Sequence, residues 1–344
     1  MTPPNQSHSP WRLSVAPMMD WTDRHCRVLH RLITRHTRLY TEMVTTGALL
    51  HGDVEQHLDF SAEEHPLALQ LGGSEPAELA RCARLAEQWG YDELNLNCGC
   101  PSERVQRGSF GACLMAEPTL VADCLKAMRD VTALPVTVKH RIGIDRGECY
   151  GFVRDFVGTV AARGGCEVFI VHARNAWLKG LSPKENREVP PLRFDVVHQI
   201  KRDFPQLTIA VNGGITTDAQ IEQQLQRLDG VMVGRHAYHE PWAMADWDAR
   251  FFGDTFRSTA MAQERDGVED RFVAYMTRLA AAGIPWGHAS RHMLGLRKGQ
   301  PGARHWRQVW SDPALKAGPP SVAQRLARAA MQNAAGAQPA ETSP

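Results

Sequence analysis

The segment Glu93–Pro101, with the sequence ELNLNCGCP, combines the pattern of a β-strand with a cysteine-containing turn. Its apolar residues alternate with polar ones, and this period of two predicts a strand. A glycine and a proline then punctuate the chain, and a glycine-rich loop follows to Met115. Because loops on a rigid scaffold often carry function, Cys100 is a candidate reactive thiol; a small cysteine that fills the core is the alternative.

Strand-like and helix-like segments alternate regularly on both sides of this segment. The predicted strands are Ser14–Met19, Leu39–Met43, Pro66–Gly73, Glu93–Cys100, Pro135–Gly143, Val168–Ala173, Thr208–Ile215 and Gly230–Gly234. The predicted helices among them are Asp23–Thr34, Glu75–Trp89, Pro118–Thr132, Tyr150–Arg163, Asp195–Phe204, Asp218–Leu228 and Pro241–Phe252. Eight strands of this kind in about 250 residues predict an α/β fold of the (β/α)8 TIM-barrel type, since doubly wound open sheets typically have fewer strands.

The strand pattern ends after Gly253, and only helical patterns follow. They predict helices over Gln263–Ala282, Ala289–Leu296, Ala303–Trp310 and Val322–Met331. The chain is therefore expected to have a barrel domain over residues 11–253 and a small C-terminal all-helical domain over residues 254–332. Residues 333–344 are expected to be a disordered tail.

The composition is ordinary for a soluble globular protein, with 43% hydrophobic and 22% charged residues among 344. The polar N-terminus lacks the apolar core of a signal peptide, and no apolar run approaches the ~20 residues of a spanning helix. A cytoplasmic location and no membrane contact are expected. The eight cysteines are interpreted as reduced thiols, and with only one C-x-C spacing no metal site is expected.

The net charge of +1 conceals an asymmetry along the chain. Residues 263–330 contain 11 Lys and Arg against 5 Asp and Glu, and no acidic residue occurs between Arg271 and Ser311. Such a basic segment fits a polyanionic partner. A solvated helical face is the alternative, and charge alone does not decide between them.

In a barrel of this type the active site lies at the carboxyl ends of the strands. The residues expected there are Pro17, Met18, Met19 and Asp20 after the first strand, Gln70, Asn97 and Cys100, Lys139, His172 and Arg174, Asn212, Gly213 and Gly214, and Gly234 and Arg235. Glycines after strands seven and eight favour a phosphate site, because their N–H groups can approach an anion closely. The alternative is that they only form tight turns. Lys139 could stabilise negative charge on a bound ring, so the set suits a planar cofactor that carries a phosphate.

Several motifs at these positions resemble those of the tRNA-dihydrouridine synthases. They are Ala16–Asp23, Leu69–Gly73, Asn95–Pro101, Val138–Lys139, His172–Arg174, Val211–Gly214 and Val233–Arg235. The segment 181–192, LSPKENREVPPL, is similar to the bacterial A-type subfamily, which modifies U20 and U20a of the D-loop. The resemblance extends from Trp11 to Lys316 and differs in two small respects, His140 and Cys98, of which Cys98 adds a second thiol that could confuse labelling.

The resemblance implies an FMN flavoprotein that uses NADPH to reduce uridine in tRNA to 5,6-dihydrouridine, with tRNA as partner. Separately from the resemblance, a monomer is expected. It implies cofactor contacts by Pro17, Met18, Met19, Gln70, Lys139, His172, Asn212, Gly213, Gly214, Gly234 and Arg235. It implies Cys100 as the catalytic proton donor. It implies tRNA contacts by Asn97, Lys184, Arg187, Arg304 and Arg307, the last two in the helical domain.

Reduction of the C5=C6 bond of uracil requires a hydride and a proton. Thiols ordinarily have a pKa near about 8.5 and remain protonated at neutral pH, so a cysteine can serve as the acid. We therefore expect the flavin to deliver hydride to C6 and Cys100 to protonate C5, on a uracil that has left its stack. Trp286, Trp306 and Trp310 alternate with arginines, a pattern of either RNA stacking or core packing.

Two other functions are compatible with parts of this pattern. A flavin barrel that reduces a small molecule would explain the residues at the strand ends but not the basic segment. A non-catalytic tRNA-binding protein would explain the basic segment but not Cys100 and the glycine turns.

Overall fold

The computed structural model describes residues 9–145, 149–254 and 265–336, without the side chains of residues 104, 107, 335 and 336. It divides the chain into two compact units, which are described separately. The first unit contains the chain up to Thr22 together with residues 36–234, and the second contains residues 23–35 and the chain from Arg235. Residues 23–35 and 235–254 thus group with the helical unit, although the functional boundary at residue 253 stays a prediction.

Eight parallel strands form the sheet of the first unit. They are β1 (Leu13–Val15), β2 (Leu39–Thr45), β3 (Leu67–Gly72), β4 (Glu93–Cys98), β5 (Val136–Arg141), β6 (Val168–His172), β7 (Thr208–Asn212) and β8 (Gly230–Val233). Their order is β1-β8-β7-β6-β5-β4-β3-β2. A parallel bridge between Ser14 and Arg38 then brings β1 beside the start of β2. The sheet is a TIM barrel, as the sequence pattern predicts.

The helices of the described residues alternate with these strands and then continue without them. They are α1 (Arg24–Ile33), α2 (Thr46–His51), α3 (Val54–Leu58), α4 (Pro76–Trp89), α5 (Glu103–Arg107), α6 (Pro118–Arg129), α7 (Tyr150–Gly164), α8 (Phe194–Asp203), α9 (Asp218–Leu225), α10 (Arg235–His239), α11 (Trp247–Phe252), α12 (Arg265–Ala281), α13 (Gly287–Ser290), α14 (Ala303–Ser311) and α15 (Pro320–Gly336). Short 3-10 helices cover Ala62–Glu64, Gly111–Ala116, Glu185–Arg187, Pro241–Met244, Arg291–Gly295 and Pro313–Ala317. None of these helices is long and apolar enough to cross a membrane.

Four details of the sequence-based assignment differ from the structure. Strand β1 ends at Val15 because Pro17 has no N–H to donate and the chain then turns, with the amide of Thr22 bonded to the carbonyl of Met18. Helices α2, α3, α5 and α10 were not predicted. The predicted helix over 241–252 divides into a 3-10 turn and α11. Helix α15 continues through residues 333–336, which were expected to be disordered; residues 337–344 and the predicted start of a helix at 263–264 lie outside the described residues.

Strand β4 places its polar residues on the barrel interior and anchors them at the amino end. Glu93 is fully buried and accepts hydrogen bonds from Trp11 (2.7 Å), Tyr40 (2.7 Å) and Thr137 (2.6 Å). The guanidinium nitrogen Nη1 of Arg38 lies 3.2 Å from Oε2 of the Glu93 carboxylate. A buried carboxylate is tolerated only with such partners, so this end of the barrel is fixed and polar.

The second unit surrounds a core that contains three tryptophans of the basic segment. Trp286, Trp306 and Trp310 are all buried, and the Trp306 ring meets Trp310 edge-on with centroids 6.1 Å apart. Trp306 also donates to the buried carboxylate of Glu269, which pairs with Arg297. These tryptophans therefore fill the core, which decides between the two alternatives that the sequence left open.

Candidate active site at the barrel mouth

Residues 99–110, which we call the thiol loop, leave strand β4 at the carboxyl end of the barrel. The side-chain oxygen of Asn97 accepts hydrogen bonds from the amides of Gly99 and Cys100, both at 3.0 Å. The carbonyl of Cys100 accepts from the amide of Ala112 at 2.9 Å. Both backbone polar groups of Cys100 are thus occupied, which fixes its backbone while its half-buried side chain keeps access to solvent.

The return of the thiol loop requires a glycine next to Cys100. Gly111 has φ +78°, and a Cβ atom there would lie 2.6 Å from the carbonyl oxygen of Cys100. An L-residue would therefore be strained by its backbone conformation and by this contact. The sulfur of Cys100 lies 3.5 Å from the hydroxyl of Ser102.

A row of buried amides runs along the interior from Thr137 to the thiol loop. Asn95 donates to Thr137 (2.8 Å) and accepts from Gln70 (2.7 Å). Gln70 in turn accepts from the amide nitrogen of Asn97 at 2.9 Å. Because each amide is oriented by the next, Gln70 presents a fixed polar group at the end of β3.

Lys139 lies on β5 and keeps partial exposure to the mouth. Burial and, to a smaller extent, the positive charge of Arg141 together lower the pKa of its side chain to about 7. No ion pair joins Lys139 to a carboxylate of the described residues. A negative charge placed beside the amine would therefore favour its protonated form; that Lys139 faces a bound ring stays a prediction.

His172, at the end of β6, is buried next to the first glycine of the β7 turn. Burial lowers the pKa of its imidazole well below the ordinary value, and the charges of Arg141 and Lys139 act in the same direction. The ring is therefore neutral at physiological pH. A Cβ atom on Gly213 would lie 2.6 Å from this ring.

The turn after β7 consists of two consecutive glycines, both with positive φ. Gly213 and Gly214 have φ +112° and +68°, and a Cβ atom on Gly214 would lie 2.3 Å from Leu192. Asn212 fixes the strand end by donating to the carbonyl of Met232 at 2.8 Å. Glycine N–H groups can approach a phosphate closely, so we call residues 213–214 the anion cradle for the role proposed below.

The remaining candidate cofactor residues lie after β8 and β1. Gly234 follows β8, and Arg235 is the first residue of α10 in the second unit. After β1, Met18 packs against the apolar cluster in the barrel, and its amide donates to the hydroxyl of Thr22 at 2.9 Å. Pro17 is half-buried, whereas Met19 is 55% exposed, so this part of the mouth offers an apolar surface.

The candidate RNA-binding residues differ in their surroundings. Lys184, Arg187, Arg304 and Arg307 are exposed. Asn97 is only 9% exposed, and both ends of its amide are engaged by the protein, so it supports the thiol loop whatever else it contacts. Within the basic segment, Arg297 is buried against Glu269 and Arg291 pairs with Asp23, which leaves only part of the basic excess on the surface.

Thiol reactivity gives a first test of this arrangement. Cys98 is completely buried and its pKa is raised by burial, so the expected interference with labelling is wrong. We expect iodoacetamide to modify the exposed Cys149 and the half-buried Cys100 and Cys113 in the native protein, as read by peptide mass spectrometry. Modification of Cys98 at a comparable rate would contradict the complete burial of its side chain.

The fold and the mouth define a (β/α)8-barrel protein with a half-buried thiol on the loop after β4 and a two-glycine turn after β7. Within that class, the chain belongs to the dihydrouridine synthase family, whose model matches residues 14–335. The family is one of oxidoreductases that reduce uridine to dihydrouridine.

Curated relatives agree with this membership. The chain is 56% identical over 321 residues to the "tRNA-dihydrouridine(20/20a) synthase" of Salmonella typhimurium, covering 92% of this chain and 95% of that protein. It is 57% identical over 307 residues to the protein of that name from Vibrio parahaemolyticus, covering 89% and 93% of the two chains. For the Escherichia coli protein the identity is 57% over 311 residues, covering 90% and 89%.

A solved structure supports the fold alone. A 2-naphthoyl-CoA reductase in complex with 2-naphthoyl-CoA superposes with a TM-score of 0.54 at 12% identity, covering 71% of this chain and 50% of that one.

Sequence reasoning singled out the thiol, the glycines and the basic groups, including Arg141 at the end of the fifth strand, but not the contacts that connect them. Arg141 and Gln106 contact the backbone of more than one loop, and Thr137 and Asn95 orient Gln70. The alternation along β4 carried a signal for Asn95, since residues 93, 95 and 97 share one face. No sequence pattern points to Gln106.

Proposed function

We propose that this protein reduces uridine of the tRNA D-loop to 5,6-dihydrouridine at positions 20 and 20a, with FMN at the barrel mouth and NADPH as the reductant. The observation that carries the proposal is the Cys100 thiol, held at the mouth of a barrel that also presents an anion cradle. The names of the relatives support the substrate and its positions. A tRNA substrate favours a cytoplasmic enzyme, and we expect it to act as a monomer without a metal ion.

The donors at the mouth fit a flavin. Asn212, Gly213 and Gly214 after β7 would hold its phosphate, together with Gly234 and Arg235, which follow β8 in the chain. Gln70, Lys139 and the neutral His172 would face its ring, and Pro17, Met18 and Met19 would back it. When bound, the flavin would supply the hydride for C6 of uracil.

The chain itself would supply the proton and the binding energy. The thiol of Cys100 would donate its proton to C5 of a uracil extruded from the tRNA. Asn97 holds the backbone of Cys100 and so sets the position of the sulfur. Lys184 and Arg187 beside the mouth, and Arg304 and Arg307 in the helical unit, would bind phosphates.

The function is tested with the purified flavoprotein after reduction by NADPH under anaerobic conditions. Unmodified tRNA is expected to reoxidise the flavin, and dihydrouridine is expected at positions 20 and 20a. Free uridine is expected to leave the flavin reduced on the same timescale. Equal oxidation by free uridine would favour a small-molecule reductase, and a colourless protein that still binds tRNA would favour a non-catalytic role.

The exposed arginines of α14 allow a separate prediction on RNA binding. Replacing Arg304 and Arg307 by glutamine is expected to weaken tRNA binding and to make the dependence of log Kd on log salt shallower by about 1 for each lost phosphate contact. Filter binding at several salt concentrations measures this slope. Arg154→Gln is the matched control, because Arg154 is an exposed arginine of the barrel unit paired with Asp155. A salt slope that equals that of the control would refute the assignment.

A further inference from the structure

Two loops at the barrel mouth are joined by the side chain of Arg141, the last residue of β5. Its Nε donates to the carbonyl of Gly99 in the thiol loop at 3.1 Å. Its Nη1 donates to the carbonyls of Asn175 (3.1 Å) and Asn186 (2.9 Å). Both of these acceptors lie in residues 173–193, which we call the β6 loop. One guanidinium group therefore spans the two loops.

The surroundings of Arg141 are unusual for a positive charge. The residue is 3% exposed, and the hydrogen bonds recorded for its side chain all end on backbone carbonyls. Burial lowers its pKa to about 10, so the group remains charged at neutral pH. A guanidinium has several donors in a rigid plane, whereas a lysine ammonium is a single point that cannot reach carbonyls on both sides.

Gln106 forms a second connection between the same loops. Its amide nitrogen donates to the carbonyl of Pro101 within the thiol loop at 2.7 Å and to the carbonyl of Leu178 in the β6 loop at 3.0 Å. Because this side chain comes from α5 rather than from the barrel wall, the two connections arise from different elements. Two side chains from different elements thus connect the thiol loop to the β6 loop.

The β6 loop is braced from within at the residue that Arg141 contacts. The buried side chain of Asn186 donates to the carbonyl of Trp177 at 2.9 Å and accepts from the Trp177 amide at 2.8 Å. Asn186 also lies in the chain between Lys184 and Arg187, the exposed residues assigned to RNA in the proposed function. A phosphate bound by Lys184 or Arg187 would therefore be held within two residues of Asn186, whose carbonyl accepts a hydrogen bond from Arg141.

We propose that Arg141 and Gln106 are positioning residues that couple the thiol loop to the β6 loop, so that RNA bound at the β6 loop fixes Cys100 for proton donation. The coupling deepens the proposed function, on which it rests. The coupling means that the thiol loop and the β6 loop open and close together as one unit.

Hydrogen exchange of the full-length protein, read by mass spectrometry, tests the coupling without measuring activity. In the wild-type protein, unmodified tRNA is expected to slow exchange in peptides from both loops. In Arg141→Lys with Gln106→Leu, exchange in both loops without tRNA is expected to be about tenfold faster. Added tRNA is then expected to protect the β6 loop and to leave the thiol loop unprotected.

Two variants keep this test interpretable. Arg129→Lys is the matched control, because Arg129 also donates to a backbone carbonyl, that of Gly164, but lies on α6 outside the two loops. Gln106→Leu alone leaves the barrel wall untouched and is expected to show a smaller effect of the same pattern. Protection of both loops by tRNA in the double variant would overturn the coupling, as would a uniform acceleration that includes the β5 peptide.

The outcome separates the coupling from the proposed function. If tRNA protects neither loop of the wild-type protein, the RNA substrate is contradicted, while the exchange of the variants without tRNA still decides whether the two loops open together. If Cys100 is not the acid, the pattern of protection is unchanged and only the reaction kinetics differ.

Discussion

Replacing Cys100 by alanine is expected to slow the oxidation of the NADPH-reduced enzyme by tRNA about 10²–10⁴-fold, the usual contribution of a positioned general acid. The alanine variant lacks the proton donor, whereas the backbone contacts with Asn97 and Ala112 involve only main-chain atoms of residue 100 and are retained. Tight binding of flavin and tRNA should therefore persist. Stopped-flow absorbance of the flavin in a single turnover measures the effect.

Two control measurements test whether the slower oxidation of Cys100→Ala arises from loss of the Cys100 thiol. Cys113→Ala removes a second half-buried thiol of the same region, one that donates to the carbonyl of Phe110, and should leave the rate within a few-fold of wild type. Reduction of the Cys100→Ala flavin by NADPH should also be unchanged, because no C5 protonation occurs in that step. If tRNA oxidises Cys100→Ala at the wild-type rate, another group donates the proton.

The position of Cys100 in the fold could be predicted from local sequence patterns. The eight strands are predictable because buried parallel strands contain short apolar runs separated by helical segments. Within β4 the period of two places Asn97 on the interior, and the glycine and proline that follow end the strand at the mouth. Hence the position of the thiol at the open end of the barrel follows from local signals.

The features that the sequence did not predict depend largely on contacts between segments that are distant in the chain. Helices α2 and α3 are only six and five residues long, so they show no helical periodicity. Each begins at a side-chain cap: Thr45 accepts from the amide of Ala48 in α2, and Asp53 accepts from the amide of Gln56 in α3. Arg141 was visible as a polar residue at a strand end, yet its three acceptors belong to loops whose course no local pattern predicts. The buried tryptophans were ambiguous for the same reason.

Lys139 should show opposite effects on stability and on cofactor binding. Lys139→Met is expected to weaken FMN binding to the apoprotein about 10–100-fold, the usual effect of losing a hydrogen bond to a charged group. The same substitution is expected to raise the free energy of unfolding of the apoprotein, because it removes an ammonium that burial disfavours. Such a trade-off marks a residue that is retained for function.

The pH dependence of this stabilisation follows from the lowered pKa of Lys139. In the folded apoprotein the pKa of Lys139 is about 7, below the ordinary lysine value of 10.5, so the unfolded state binds more protons between these two values. The cost of burying Lys139 is therefore complete below pH 7 and falls as the pH rises above it. The stability gained by Lys139→Met should be larger at pH 6 than at pH 9, as measured by urea unfolding.

Lys126→Met is the matched control for both measurements. Lys126 lies on the surface of the same unit and pairs with Asp130 one helical turn away, so its removal should change stability little and FMN binding not at all. Fluorescence titration of FMN with each apoprotein gives the affinities. If Lys139→Met binds FMN as tightly as the control while unfolding is stabilised, the ammonium does not contact the cofactor. A loss of stability that is equal at both pH values would instead show that Lys139 is held by a carboxylate in the folded protein.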